Sequence, residues 1–119
     1  MNSGDLFAIR LGETTIGVAL FIEQSFEIIE LKNIALLQEY RGKGYGKQVL
    51  VTAFKIYKGK GYSKMIVGTA NSSIANLAFY QKIGFRMTSI KHDFFANYPK
   101  PIYEDGIRAL DMIMFEKML

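Results

Sequence analysis
Residues 34–50, IALLQEYRGKGYGKQVL, leave the chain few options. An apolar run ends at Leu37, glycines stand at 42, 44 and 46, and apolar positions at helical spacing follow. Glycine admits positive φ and lets backbone N–H groups come close to a ligand. A strand feeding such a loop, with a helix behind it, turns several amides and the positive end of the helix dipole onto one point. That is a cradle for a phosphate. The competing reading is a turn that merely reverses the chain.

Two common phosphate loops do not fit. The pattern G-x-x-x-x-G-K-[ST] requires a glycine and a hydroxyl where this chain has Arg41 and Gln48. The dinucleotide pattern G-x-G-x-x-G requires glycine where Lys47 stands, and no acidic residue follows about 20 positions on to hold a ribose. What remains is a strand, then R-G-x-G-x-G, then a helix, which suits a pyrophosphate.

Charge supports an anion. No Asp or Glu lies between Tyr40 and His92, a segment holding ten basic residues, while the flanks sum to −6. The bland reading for Lys55, Lys58, Lys60 and Lys64 is a solvated helix face; near the loop, a positive field over an anion site is the better one. Nucleic acid is a poor partner, because the chain has only four arginines and no strand that mixes aromatic and basic residues. At 119 residues, half of them hydrophobic, residues 1–119 read as a single domain. The lack of cysteine fits a cytoplasmic location. No apolar run nears the ~20 residues of a membrane span, and no signal-peptide core opens the chain.

Periodicity predicts a hairpin from 6–11 and 15–23, a third strand over 26–37, and a helix from Gly44 to Lys58. In that helix Val49, Leu50, Ala53, Phe54 and Tyr57 face inward, with Lys47, Gln48, Lys55 and Lys58 outward. A strand over 63–70 follows, then a helix over 72–83 with Ser72 or Ser73 as N-cap and Gly84 as its stop. Strands over 85–92 and 108–117 close the chain, around an aromatic loop. The order is β-β-β-α-β-α-β-β, an α/β (α+β) fold with a mixed, mainly antiparallel twisted sheet flanked by helices.

NIALLQEYRGKGYGKQVL resembles the acetyl-CoA signature of the GNAT N-acetyltransferase superfamily, [RQ]-x-x-G-x-[GA], with Arg41, Gly44 and Gly46 in the defined positions. ANLAFYQKIGF, residues 75–85, resembles the family's second signature, a helix ending in tyrosine before a lysine-glycine-phenylalanine turn. The resemblance covers about residues 6–92. It differs in starting almost at the hairpin, as a short form without the leading strand and helices of other members. A sheet beginning there exposes an edge and a face, so pairing into a homodimer is expected.

The resemblance implies transfer of the acetyl group of acetyl-CoA to a primary amine of a small molecule or protein, by direct attack. Acetyl-CoA is then the cosubstrate, and no metal is assigned. Arg41, Gly42, Lys43, Gly44, Tyr45, Gly46 and Lys47 would hold the pyrophosphate. Ile34, Ala35, Leu36 and Leu37, where the family's strand bulges and splays, would offer backbone groups to the pantetheine arm and thioester oxygen. A helical asparagine common in the family falls at Ser73 here, with Asn71 and Asn76 on either side, and these three join the cofactor contacts.

Tyr80 is the candidate acid. Ser73, Asn76 and Tyr80 form one polar stripe at spacings of three and four, and a tyrosine keeps its proton at neutral pH yet can give it to a departing thiolate. The alternative is a core tyrosine beside Phe79. Glu30 is the candidate base, on the face that period two shares with Lys32, Ile34 and Leu36; the alternative is a surface glutamate paired with Lys32. Phe94, Phe95, Tyr98 and Tyr103 line an acceptor pocket or plug a long loop, with Glu104 and Asp105 beside them to attract a cationic amine. His92 stays unassigned. The alternative function is a non-catalytic acetyl-CoA-binding sensor or subunit.

Overall fold
The computed structural model describes residues 4–119 as two compact units, residues 4–65 with Met118 and Leu119, and Ile66–Lys117. The chain forms the expected mixed sheet of strands flanked by two helices.

In the first unit, strands β1 (Gly4–Leu11), β2 (Thr14–Glu23) and β3 (Ile28–Leu36) are neighbours in that order. Both pairs are antiparallel, and Leu11 opposite Thr14 closes the first hairpin. Helix α1 (Tyr45–Gly59) buries Leu50, Ala53 and Tyr57. Those spacings place one stripe against the sheet's buried Ile9, Ile16, Ala19, Phe21, Ile29 and Leu31. Lys47, Gln48, Lys55 and Lys58 face outward, as expected. The far end of α1 is tied down: the Tyr57 hydroxyl donates to Asp5 at 2.7 Å, with Lys60 3.8 Å from the same carboxylate.

Two bulges shape this unit. Between β1 and β2 the register steps from Ile9–Gly17 to Arg10–Thr15, so Ile16 is extra. Between β2 and β3 it steps from Phe21–Leu31 to Leu20–Asn33, so Lys32 is extra. A bulge residue breaks the alternation of faces. Residues directly opposite share a face, and Phe21, Ala19 and Gly17 pair with Leu31, Ile34 and Leu36. Leu31, Ile34 and Leu36 therefore lie on the α1 side, and Glu30 shares the opposite side with Asn33 and Ala35. The expectation that Glu30 shares a face with Ile34 and Leu36 is overturned by this one extra residue.

In the second unit, β4 (Lys64–Ala70, its first two residues in the first unit) buries Val67 and Thr69. Helix α2 (Ile74–Lys82) follows, then β5 (Arg86–Lys91), with Gly84 ending the helix at φ 106°. The expected last strand, 108–117, is β8 (Met112–Met118), and a small hairpin within the expected loop precedes it, β6 (Tyr103–Glu104) and β7 (Ile107–Arg108). The signal was Asp105-Gly106: both take positive φ, 52° and 75°, as a tight hairpin turn requires. Strand β8 lies between β4 and β5 and runs antiparallel to β5. Tyr80 packs among Phe79, Phe85 and Phe115, with ring centroids 5.5, 5.6 and 5.8 Å away. Among the described residues no helix is long and apolar enough to cross a membrane.

Candidate functional site
The glycine loop grows out of the end of β3. The Leu37 N–H donates to the Ile16 carbonyl at 2.8 Å, so β3 stays seated on β2 one residue past its last strand position. A 3₁₀ turn over Gln38–Tyr40 follows, and the Arg41 N–H closes it on the Gln38 carbonyl. Arg41 is extended, and its Nε donates back to the Leu36 carbonyl at 3.0 Å. Gly42 and Gly44 both have positive φ, 73° and 85°. Gly44 is the N-cap of α1, and no side chain caps the helix. The first backbone bond of α1 runs from Gln48 to the Gly44 carbonyl. Helix geometry thus leaves the N–H groups of Tyr45, Gly46 and Lys47 without intrahelical acceptors, at the positive end of the dipole.

Residues 41–44 are exposed, and a Cβ added at Gly42 or Gly44 would meet nothing within 4 Å. A turn needing glycine for close packing would show neighbours there. This one opens outward. Lys43 Nζ sits 5.9 Å above the Tyr40 ring, and Lys47 is exposed. An open ring of N–H groups with cations beside it suits a phosphorylated ligand. The Arg41 N–H is already committed within the turn, so the donors begin after it.

The second unit holds the other candidates, in unlike environments. The Asn71 amide is engaged internally: Oδ1 accepts from the Leu110 and Asp111 N–H groups at 2.9 and 3.0 Å, and Nδ2 donates to the Arg108 carbonyl at 3.1 Å. It pins the chain between β7 and β8. Ser73 is the N-cap residue of α2, as expected, but its hydroxyl does not cap. It donates to Glu104 Oε1 at 2.8 Å, as does the fully buried Ser72. The Ser73 proton is thus spent on Glu104, leaving its oxygen lone pairs as acceptors. Asn76 is exposed, with Nδ2 3.5 Å from Thr69 Oγ1. Tyr80 is buried, and burial raises its pKa above the ordinary tyrosine value. The stripe Ser73, Asn76 and Tyr80 is present on one helix, running from a half-buried to a buried end.

Glu30 Oε1 accepts from Gln24 Nε2 at 2.5 Å, and Oε2 is 3.8 Å from Lys32 Nζ. The aromatic loop is tied to the segment before β8, through Phe95 N–H to the Leu110 carbonyl and Asp93 N–H to Asp111 Oδ1. Phe94, Phe95 and Tyr98 stack edge to face along it. Phe94, Tyr98 and Tyr103 are exposed. His92 stands at the surface, 3.7 Å from Asp111. Sequence reasoning overlooked Gly17, where a Cβ would come within 2.3 Å of the Ala35 carbonyl oxygen; nothing local in the sequence marks so close an approach.

The profile of the Acetyltransferase (GNAT) family matches residues 1–85. The chain belongs to the GNAT acetyltransferase family. The match spans β3, the glycine loop, α1 and α2. Among proteins of this family, the chain is similar to the uncharacterized N-acetyltransferase YvbK of Bacillus subtilis strain 168, 36% identical over 114 residues, 95% of this chain and 74% of that protein. Among solved structures, it is similar to a GNAT family acetyltransferase from Elizabethkingia anophelis with acetyl-CoA bound, at TM-score 0.93 and 41% identity, covering 98% of this chain and 77% of that one. It is also similar to an IAA acetyltransferase from Bacillus cereus ATCC 14579, at TM-score 0.90 and 42% identity, covering 98% and 78%. This GNAT chain is accordingly an acetyltransferase, with the signature Arg41, Gly44 and Gly46 on the loop that opens to solvent.

Proposed function
We propose that residues 1–119 act as one acetyltransferase domain that transfers the acetyl group of acetyl-CoA to a primary amine by direct attack. The observation that carries this reading is the outward-open loop 42–47, capped by Gly44 at the start of α1. The N–H groups of Tyr45, Gly46 and Lys47 hold the pyrophosphate, with Lys43 and Lys47 as neighbouring charge. The strand end holds the pantetheine arm. Leu37 donates to Ile16, so by antiparallel alternation the Ala35 and Leu37 amides point at β2, and those of Ile34 and Leu36 point away from it. Ile34 and Leu36 are the residues whose N–H groups serve an acyl-CoA ligand. An N–H placed at the thioester oxygen is worth about 3 kcal/mol of barrier. Ser73 and Asn76 add polar contacts, and Asn71 keeps the neighbouring loop in place.

Acetyl-CoA, when bound, supplies an acetyl thioester with a thiolate leaving group. Tyr80 gives that sulfur its proton. Burial keeps the phenol protonated at neutral pH. Even between free groups, a phenol at about 10 and a thiol at about 8.5, that transfer is uphill by roughly 2 kcal/mol, and the burial of Tyr80 makes it steeper. Glu30 takes the ammonium proton, through water, once Gln24 and Lys32 yield. The exposed Phe94, Tyr98 and Tyr103 with Glu104 fit an acceptor that joins a cation to an apolar body. The outer edge of β1, with Leu6, Phe7 and Leu11 exposed, favours a homodimer.

The test is calorimetric titration with CoA, then release of free thiol from acetyl-CoA against a panel of primary amines. Binding together with amine-dependent thiol release is expected. No CoA binding by a folded sample would overturn the reading; binding without turnover on any amine would make the chain a sensor or subunit.

A further inference from the structure
The end of β3 lies unusually close to β2. An ideal Cβ at Gly17 would stand 2.3 Å from the Ala35 carbonyl oxygen, 2.8 Å from Leu36 Cδ2 and 3.1 Å from Leu36 Cα. Carbon and oxygen normally approach no nearer than about 3.3 Å. The nearest obstacle is backbone, so no side-chain rotation makes room. Gly17 pairs with Leu36 at the last described step of the β2–β3 ladder, and its neighbour Ile16 accepts the Leu37 N–H. Gly17 and the Ile16 carbonyl therefore form a seat for residues 35–37.

We infer that Gly17 is a positioning residue for acyl-CoA binding, holding the backbone of Ala35–Leu37 where the ligand pairs with it. The inference rests on the reading that this strand end binds the pantetheine arm. Any side chain at position 17 pushes the Ala35 carbonyl outward by about 1 Å, the difference between the built and the normal approach. The outward-pointing Leu36 amide moves with it. Arg41 moves too, because its Nε bonds the Leu36 carbonyl. The glycine loop is thus coupled to the same seat. Gly17 touches no ligand itself.

Two variants test this. Gly17→Ala fills the seat. Leu37→Pro breaks the other clamp: Leu37 has φ −57°, within proline's range, but the ring replaces the N–H given to Ile16 and its Cδ meets that carbonyl, which lifts the end of β3 off β2. Tyr57→Phe is the control for stability alone, since it removes the bond to Asp5 and leaves residues 35–37 untouched. CoA dissociation constants and acetyl-CoA KM are measured beside thermal melts. Gly17→Ala and Leu37→Pro should each weaken CoA roughly tenfold, the scale of one misplaced hydrogen bond. Tyr57→Phe should melt earlier and bind CoA as wild type does. A folded Gly17→Ala with wild-type CoA affinity overturns the inference. If that variant does not melt cooperatively, Leu37→Pro decides, and unchanged affinity there overturns it as well. Wild-type protein that binds no CoA overturns the underlying reading instead, a separate result seen before any variant is made.

Discussion
Gly44 offers the sharpest test of the loop. It caps α1 at φ 85° and ψ 3°, with open space where a Cβ would go. Gly44→Ala therefore adds strain without a clash, costing about 1–2 kcal/mol of stability. Gly44→Asp adds the same Cβ and a charge. Aspartate tolerates the left-handed region better than alanine, and its carboxylate restores part of the loss through the free amides of the first turn. Both variants should stay folded, the aspartate the more stable. Binding should rank them the other way. One negative charge about 4 Å from each of two phosphate charges costs ~1 kcal/mol per pair in water-like surroundings. The loop is exposed, so this lower figure applies, and the sum of about 2 kcal/mol is roughly thirtyfold in affinity. Calorimetric CoA titration of wild type, Gly44→Ala and Gly44→Asp at two salt concentrations measures it. The gap between the variants should shrink at high salt, because the repulsion is screened. Gly44→Asp binding CoA no more weakly than Gly44→Ala would refute the argument and leave the loop a turn.

Tyr80→Phe should lower turnover about 10²–10³-fold with CoA affinity nearly kept; a lower melting temperature with full turnover per folded molecule would make Tyr80 core only. Tyr62 donates to Glu23 at 2.5 Å, which pushes its pKa up to about 12, and burial followed by the Asp5 bond raises Tyr57 too. The folded state holds both protons more tightly than the unfolded chain, so this stability is complete below about pH 10 and is lost as pH rises through the folded values. Urea midpoints should be flat near pH 9 and fall by pH 11, with a shallower fall in Tyr62→Phe; identical slopes would refute the assignment. Light scattering should give the mass of a dimer, and a monomer at every concentration would reject pairing through β1.

Much of the fold was legible because its signals are local. Strand-like runs, the helical spacing of Leu50, Ala53 and Tyr57, and the stop at Gly84 depend on neighbours a few residues apart. So does the loop: Gly42 and Gly44 take the positive φ that the spacing suggested. The short hairpin before β8 was legible in Asp105-Gly106 and overlooked, because its strands are two residues each and the aromatic stretch around them reads as a loop.

The sequence by itself determined the main strands and helices, their order and a glycine loop at a helix start, since propensity, spacing and turn chemistry act over a few residues. Only the tertiary structure decided which groups are still available to a ligand. One bulge residue, Lys32, moved Glu30 to the face away from Ile34 and Leu36. Asn71 spent its amide on residues 108–111, and the Ser73 hydroxyl donates its hydrogen bond to Glu104, 31 positions away. Gly17 matters only because β3 lies against it. Hydrogen bonds and close contacts satisfy whatever group folding brings near, and that group is set by register and packing across the sheet rather than by neighbours in the chain.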